Sequence, residues 1–72
     1  MTTALTTFRE LMAFRKQDPL VPREVLAVEL RVSSASIYRF ESGKSPLPRR
    51  CSVNAYIEGI KRIRARWEEF GR

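Results

Sequence analysis

The stretch from Leu26 to Gly43, LAVELRVSSASIYRFESG, constrains the fold more than any other part of the chain. Leu26, Leu30, Ile37 and Phe40 recur at helical spacing on either side of Arg31-Val32. Ser33 is a good N-cap for a second helix, and Gly43 is a usual helix stop. The pattern is two short helices joined by a tight turn. The simplest way to bury their apolar faces is against each other. That packing leaves Ser34, Ala35, Tyr38 and Arg39 on the outer face of the second of these helices. Its first turn carries little side-chain bulk, so its N-terminal end can come close to another surface.

The flanking sequence is also helical. Thr7-Phe8-Arg9-Glu10 fits a capping box, with residues 1–6 a frayed end. Phe8, Leu11, Met12, Phe14 and Arg15 then keep helical spacing to about Lys16. Asp18-Pro19 and Val21-Pro22 break that helix, and Pro22 suits the first turn of the next, where its missing N–H is not needed. This second helix runs to Leu30 with Val25, Leu26 and Leu30 on its inner side. Lys44 to Pro48 is a loop. From about Pro48 to Phe70 the only breaker is Gly59, at roughly 1 kcal/mol in a helix interior. Val53, Ile57, Ile60, Ile63, Trp67 and Phe70 step by three or four residues throughout. No strand alternation occurs. The expectation is an all-α chain of four helices forming one domain over residues 1–72, with the helix pair at about 22–43 and a long C-terminal helix at about 48–70.

Composition narrows the partners. The net charge is +6, and residues 33–72 carry nine basic against four acidic side chains. Arginine outnumbers lysine 11 to 3, and the guanidinium fork suits both phosphate and guanine edges. Charge by itself does not distinguish DNA from RNA or from an acidic protein; together with the slim-ended helix it makes double-stranded DNA the expected partner. Arg39 is the strongest candidate for direct readout of a guanine, ahead of an exposed salt bridge; Tyr38 divides evenly between a DNA contact and an ordinary surface role. There is no histidine, which removes the commonest general base and the commonest transition-metal ligand. The single cysteine, Cys51, can form no intrachain disulfide and reads as a small buried residue. No enzyme activity, cofactor or metal is expected. No apolar run approaches a membrane span, and residues 1–20 lack a signal-peptide core, so a cytoplasmic location is expected.

These residues resemble the helix-turn-helix of phage Cro and repressor proteins, the Cro/C1 or XRE type. Leu26-Ala27, Leu30, Val32, Ser33, Ile37, Glu41 and Gly43 fall at the family's steps, and Leu11-Met12-Ala13-Phe14-Arg15 is similar to its first-helix pattern. The match covers about residues 8–47. Two positions depart from it. Arg31 stands where the family has Gly, at roughly 1 kcal/mol if the residue is left-handed. The connection between the first two helices is about one residue longer. The resemblance implies that Ser34 and Ala35 face base edges, and that Arg23, Lys44 and Ser45 contact phosphate. It also implies a structural ion pair between Arg15 and Glu41. Ser33 is first a cap, with a phosphate contact through the helix N–H groups following from that geometry.

A small core makes a second copy or another partner useful. The apolar stripe of the last helix runs on to Ile60, Ile63, Trp67 and Phe70, which the sequence assigns to a homodimer interface in preference to folding back on the first helix. Lys61, Arg62, Arg64 and Arg66 flank it as a solvated face, as phosphate contacts or as partners for Glu68 and Glu69 of another copy. The resulting expectation is a DNA-binding transcriptional regulator of the repressor kind on a pseudo-palindromic operator. The alternatives are an excisionase-like architectural factor, or a protein-interaction adaptor or antiactivator that uses the helix pair as scaffold.

Overall fold

The computed structural model describes residues 7–49 and 51–70; the expected frayed end at residues 1–6 lies outside them. They form four helices and, among the described residues, no strand: α1 (Phe8–Lys16), α2 (Arg23–Leu30), α3 (Ser34–Glu41) and α4 (Val53–Phe70).

Local chemistry fixes each end. At α1 the Glu10 N–H donates to Thr7 Oγ1 at 3.1 Å and the Thr7 N–H donates to Glu10 Oε1 at 3.1 Å, a reciprocal box. Pro22 stands at the N-cap of α2. At α3 Ser33 Oγ accepts from the Ser36 N–H at 3.1 Å. The ends of α2 and α3 are the same motif. After α2, Val32 N–H donates to the Ala27 carbonyl at 3.0 Å and Arg31 N–H to the Val28 carbonyl at 3.2 Å; after α3, Lys44 N–H donates to Arg39 at 2.9 Å and Gly43 N–H to Phe40 at 3.0 Å. This Schellman pattern needs a left-handed residue. Gly43 supplies it at φ 75°, while Arg31 supplies it at φ 60° with a Cβ in the way.

The core consists of Leu11, Val21, Leu26, Ala27, Ile37, Cys51, Tyr56, Ile60 and Ile63. Several expectations are corrected by it. Val25 does not lie on the inner side of α2; it is exposed, and Ala27 is buried in its place. Cys51 is buried, as expected, which pushes its thiol pKa up and leaves it a packing residue. The last helix begins at Val53, not near Pro48, because Ser52 caps it: the Ala55 N–H donates to Ser52 Oγ at 3.0 Å. Before it the Cys51 N–H donates to the Pro48 carbonyl at 2.9 Å. Val53, expected on the apolar stripe of α4, is exposed, and Phe70 stays uncovered at the end of the helix; the buried stripe is Tyr56, Gly59, Ile60 and Ile63.

Ile60 and Ile63 therefore do not form a dimer interface. Both are buried inside the chain, where α4 folds back across α1 and α2. Gly59 makes this crossing possible: a Cβ there would stand 2.9 Å from Leu30 Cδ2 and 3.3 Å from Leu26 Cδ1. Trp67 is half-buried and packs against the same core.

Candidate nucleic-acid interface

The outward face of α3 follows from which of its residues are buried. Ile37 and Glu41, one turn apart, point inward, so Ala35 and Arg39, also one turn apart, point out. Tyr38 is beside them, 49% exposed. Ser34 sits on the flank, half-buried, and is less exposed than the sequence alone implied. Ser33 spends its hydroxyl on the cap and on a 2.9 Å hydrogen bond with Ser36 Oγ. Lys44 is exposed just past α3, and Ser45 is half-buried.

Behind this face lies a buried polar cluster centred on Glu41. Arg15 donates to it through Nε at 2.7 Å and Nη2 at 2.8 Å, a two-pronged ion pair. Its Nη1 donates to the Val21 carbonyl at 2.9 Å, so the guanidinium is well satisfied. Burial alone lowers the Arg15 pKa, but the Glu41 hydrogen bond and charge outweigh it and hold the guanidinium above its ordinary value. Tyr56 Oη donates to Glu41 Oε2 at 2.5 Å, and burial followed by that carboxylate pushes the phenol pKa up. The Arg23 Nη1 lies 3.9 Å from Glu41 Oε1. One carboxylate on α3 is thus reached from α1, α2 and α4.

Arg23 does more than head α2. Its guanidinium carbon stands 5.0 Å from the centre of the Tyr38 ring. Neither this stack nor the Tyr56 contact was foreseen. Tyr56 had a signal, since it precedes Ile60 by four residues and Ile63 by seven; the stack had none, because no spacing rule links residues on different helices.

The basic side chains of α4 are held differently from Arg39 of α3. Arg62 and Arg66 both donate to Glu29 on α2, at 2.7 and 2.6 Å, and hold its carboxyl pKa below the ordinary value. Arg64 donates to the carbonyls of Phe14 at 2.8 Å, Gln17 at 2.7 Å and Pro19 at 3.1 Å, and lies over the Phe14 ring. It serves as a side-chain cap for the C-terminal end of α1. Lys61 pairs with Glu58 at 3.7 Å. The basic run of α4 therefore has partners within the chain, although Lys61, Arg62 and Arg66 remain more than half exposed. Arg39 differs. Among the described residues no carboxylate pairs with it, and its Nη2 has only Ser36 Oγ at 3.4 Å.

Two open cavities mark the remaining surface. One, of about 360 Å³, lies between Pro19, Arg64, Trp67 and Glu68. The other, of about 400 Å³, is an apolar groove over Val25 and Val28 rimmed by Glu24, Glu29 and Arg66; Val28 is 80% exposed. Comparison with protein-family models, with characterised proteins and with solved structures returns no match.

Proposed function

We propose that this chain is a sequence-specific, double-stranded DNA-binding transcriptional regulator of the Cro/C1 helix-turn-helix type. It acts as a repressor, inserting α3 into the major groove. The observation that carries this reading is Arg39. It stands unpaired on the outward face of α3 behind a slim first turn, in a chain whose other helix-borne arginines on α4 are tied to internal acceptors. A guanidinium left free at that place is suited to a two-pronged bond with guanine O6 and N7. Ala35 one turn earlier fits a thymine methyl group, and Ser34 at the flank hydrogen-bonds to either base type. Arg23, Ser33, Lys44 and Ser45 supply phosphate contacts that set register.

So few base contacts per chain call for two copies on a pseudo-palindromic operator, with half-sites about 34–36 Å apart. Phe70, 78% exposed at the end of α4, supports a smaller homodimer contact than the sequence alone implied. Selection of binding sites from random duplexes, followed by Arg39→Ala, tests the assignment. The variant should keep its helical spectrum and melting temperature, lose about tenfold or more in affinity, and relax preference at one guanine per half-site. Unchanged DNA binding by Arg39→Ala would overturn the assignment of Arg39 as the reader, whereas a parent chain that binds no duplex would favour the adaptor reading, which draws on the apolar groove over Val25 and Val28.

A further inference from the structure

We infer that Tyr38 is a positioning residue: its ring holds the Arg23 guanidinium at the head of α2 as a preset phosphate clamp and does not read a base. This rests on the DNA-binding reading above and deepens it.

Two independent contacts converge on Arg23. Its guanidinium carbon lies 5.0 Å from the Tyr38 ring centre, within the range of a cation–π contact. On its other side Nη1 faces the buried Glu41 carboxylate at 3.9 Å. Glu41 is itself immobilised by Arg15 and Tyr56, so this flank of the clamp is rigid. Arg23 remains about one-third exposed on its side chain, and most of its donors are free. An arginine has many rotamers, and fixing one on contact with phosphate costs entropy. An aromatic wall and a fixed carboxylate meet that cost before binding. The distance to Glu41 is too long to neutralise Arg23, but short enough to bias where its charge points.

The same geometry removes Tyr38 from the pool of base readers. One face of its ring is occupied by Arg23, and the residue as a whole is 49% exposed. Specificity then falls on Arg39, Ala35 and Ser34, while Tyr38 and Arg23 set affinity.

A double-mutant cycle on DNA binding tests this, with full-length chains and both the selected duplex and an unrelated one. Arg23→Ala should weaken both duplexes by roughly tenfold and flatten the salt dependence of log K by about 0.9 per chain. Tyr38→Ala should show most of the same loss on both duplexes with base preference unchanged, and the double variant should be no weaker than Arg23→Ala alone. Tyr38→Phe keeps the ring and should bind as the parent does. Additive losses in the double variant, a loss in Tyr38→Phe equal to that in Tyr38→Ala, or altered preference at a single base pair each overturns the clamp. If the parent chain itself shows no salt-dependent DNA binding, the DNA reading falls and the clamp with it. The ring-current shift of the Arg23 side-chain protons, lost in Tyr38→Ala, then reports the stack alone.

Discussion

Single residues decide how well this fold tolerates its own departures from pattern. Arg31 and Gly43 perform the same backbone task, yet only one is a glycine. Arg31→Gly should therefore raise stability by about 0.5–1 kcal/mol in urea unfolding, the relief of a left-handed Cβ less the entropy that glycine adds to the unfolded chain. Gly43 has no such freedom to change, because a Cβ there would meet the Phe8 ring at 2.8 Å. Glu41 is the costliest side chain to alter. Glu41→Gln leaves Arg15 buried and uncompensated, and should cost about 3–5 kcal/mol by the same measurement. Replacing Arg15 and Glu41 together by Met and Leu should cost far less than the single change, since no stranded charge remains. The partners in this ion pair were legible through family resemblance. The Tyr56 hydroxyl was not, because a tyrosine on an apolar stripe reads as core until its neighbours are known. Arg39 was legible in both identity and exposure, since helical spacing places it opposite Ile37 and Glu41.

At the level of the elements, the sequence carried the order and number of helices but misplaced the working faces of α4. Its start lay at Ser52, a cap hidden in a stretch without breakers. Its apolar stripe was drawn through Val53, Ile57, Ile60, Ile63, Trp67 and Phe70, whereas the buried one keeps Ile60 and Ile63 and adds Tyr56 and Gly59. Helical periodicity is satisfied by either choice, and only the surface of α2 against Gly59 selects between them. The basic run was misread for a related reason. Spacing states which side of a helix a charge occupies, not what faces it, and Glu29 faces Arg62 and Arg66. That link between α2 and α4 is acid-sensitive. The two arginines hold Glu29 below its ordinary pKa, so the link contributes above the unfolded carboxylate value of about 4.3 and is lost as pH falls through the lower folded value. The contribution is about 1 kcal/mol or less, because both arginines are half exposed. Glu29→Gln should remove that part of the acid limb in melts recorded between pH 7 and about pH 3, with little change in its neutral-pH helix content.

For the whole molecule, the turn of α4 back onto α1 and α2 separates two roles that the sequence had merged. Trp67 belongs to the chain's own packing, and Phe70 to its surface. The proposed dimer accordingly makes a divided prediction. Phe70→Ser should sediment as a smaller species than the parent chain while melting at nearly the same temperature. Trp67→Ala should lower the melting temperature instead. Equal sedimentation of Phe70→Ser and the parent would remove Phe70 from any interface between copies. Glu41 gives the molecule one further property. Because a single carboxylate on α3 is reached by Arg15 of α1, Arg23 of α2 and Tyr56 of α4, no helix can leave without uncovering a charge that the other three helped to bury. Amides of the four helices near this carboxylate are therefore expected to share one opening free energy in native-state hydrogen exchange.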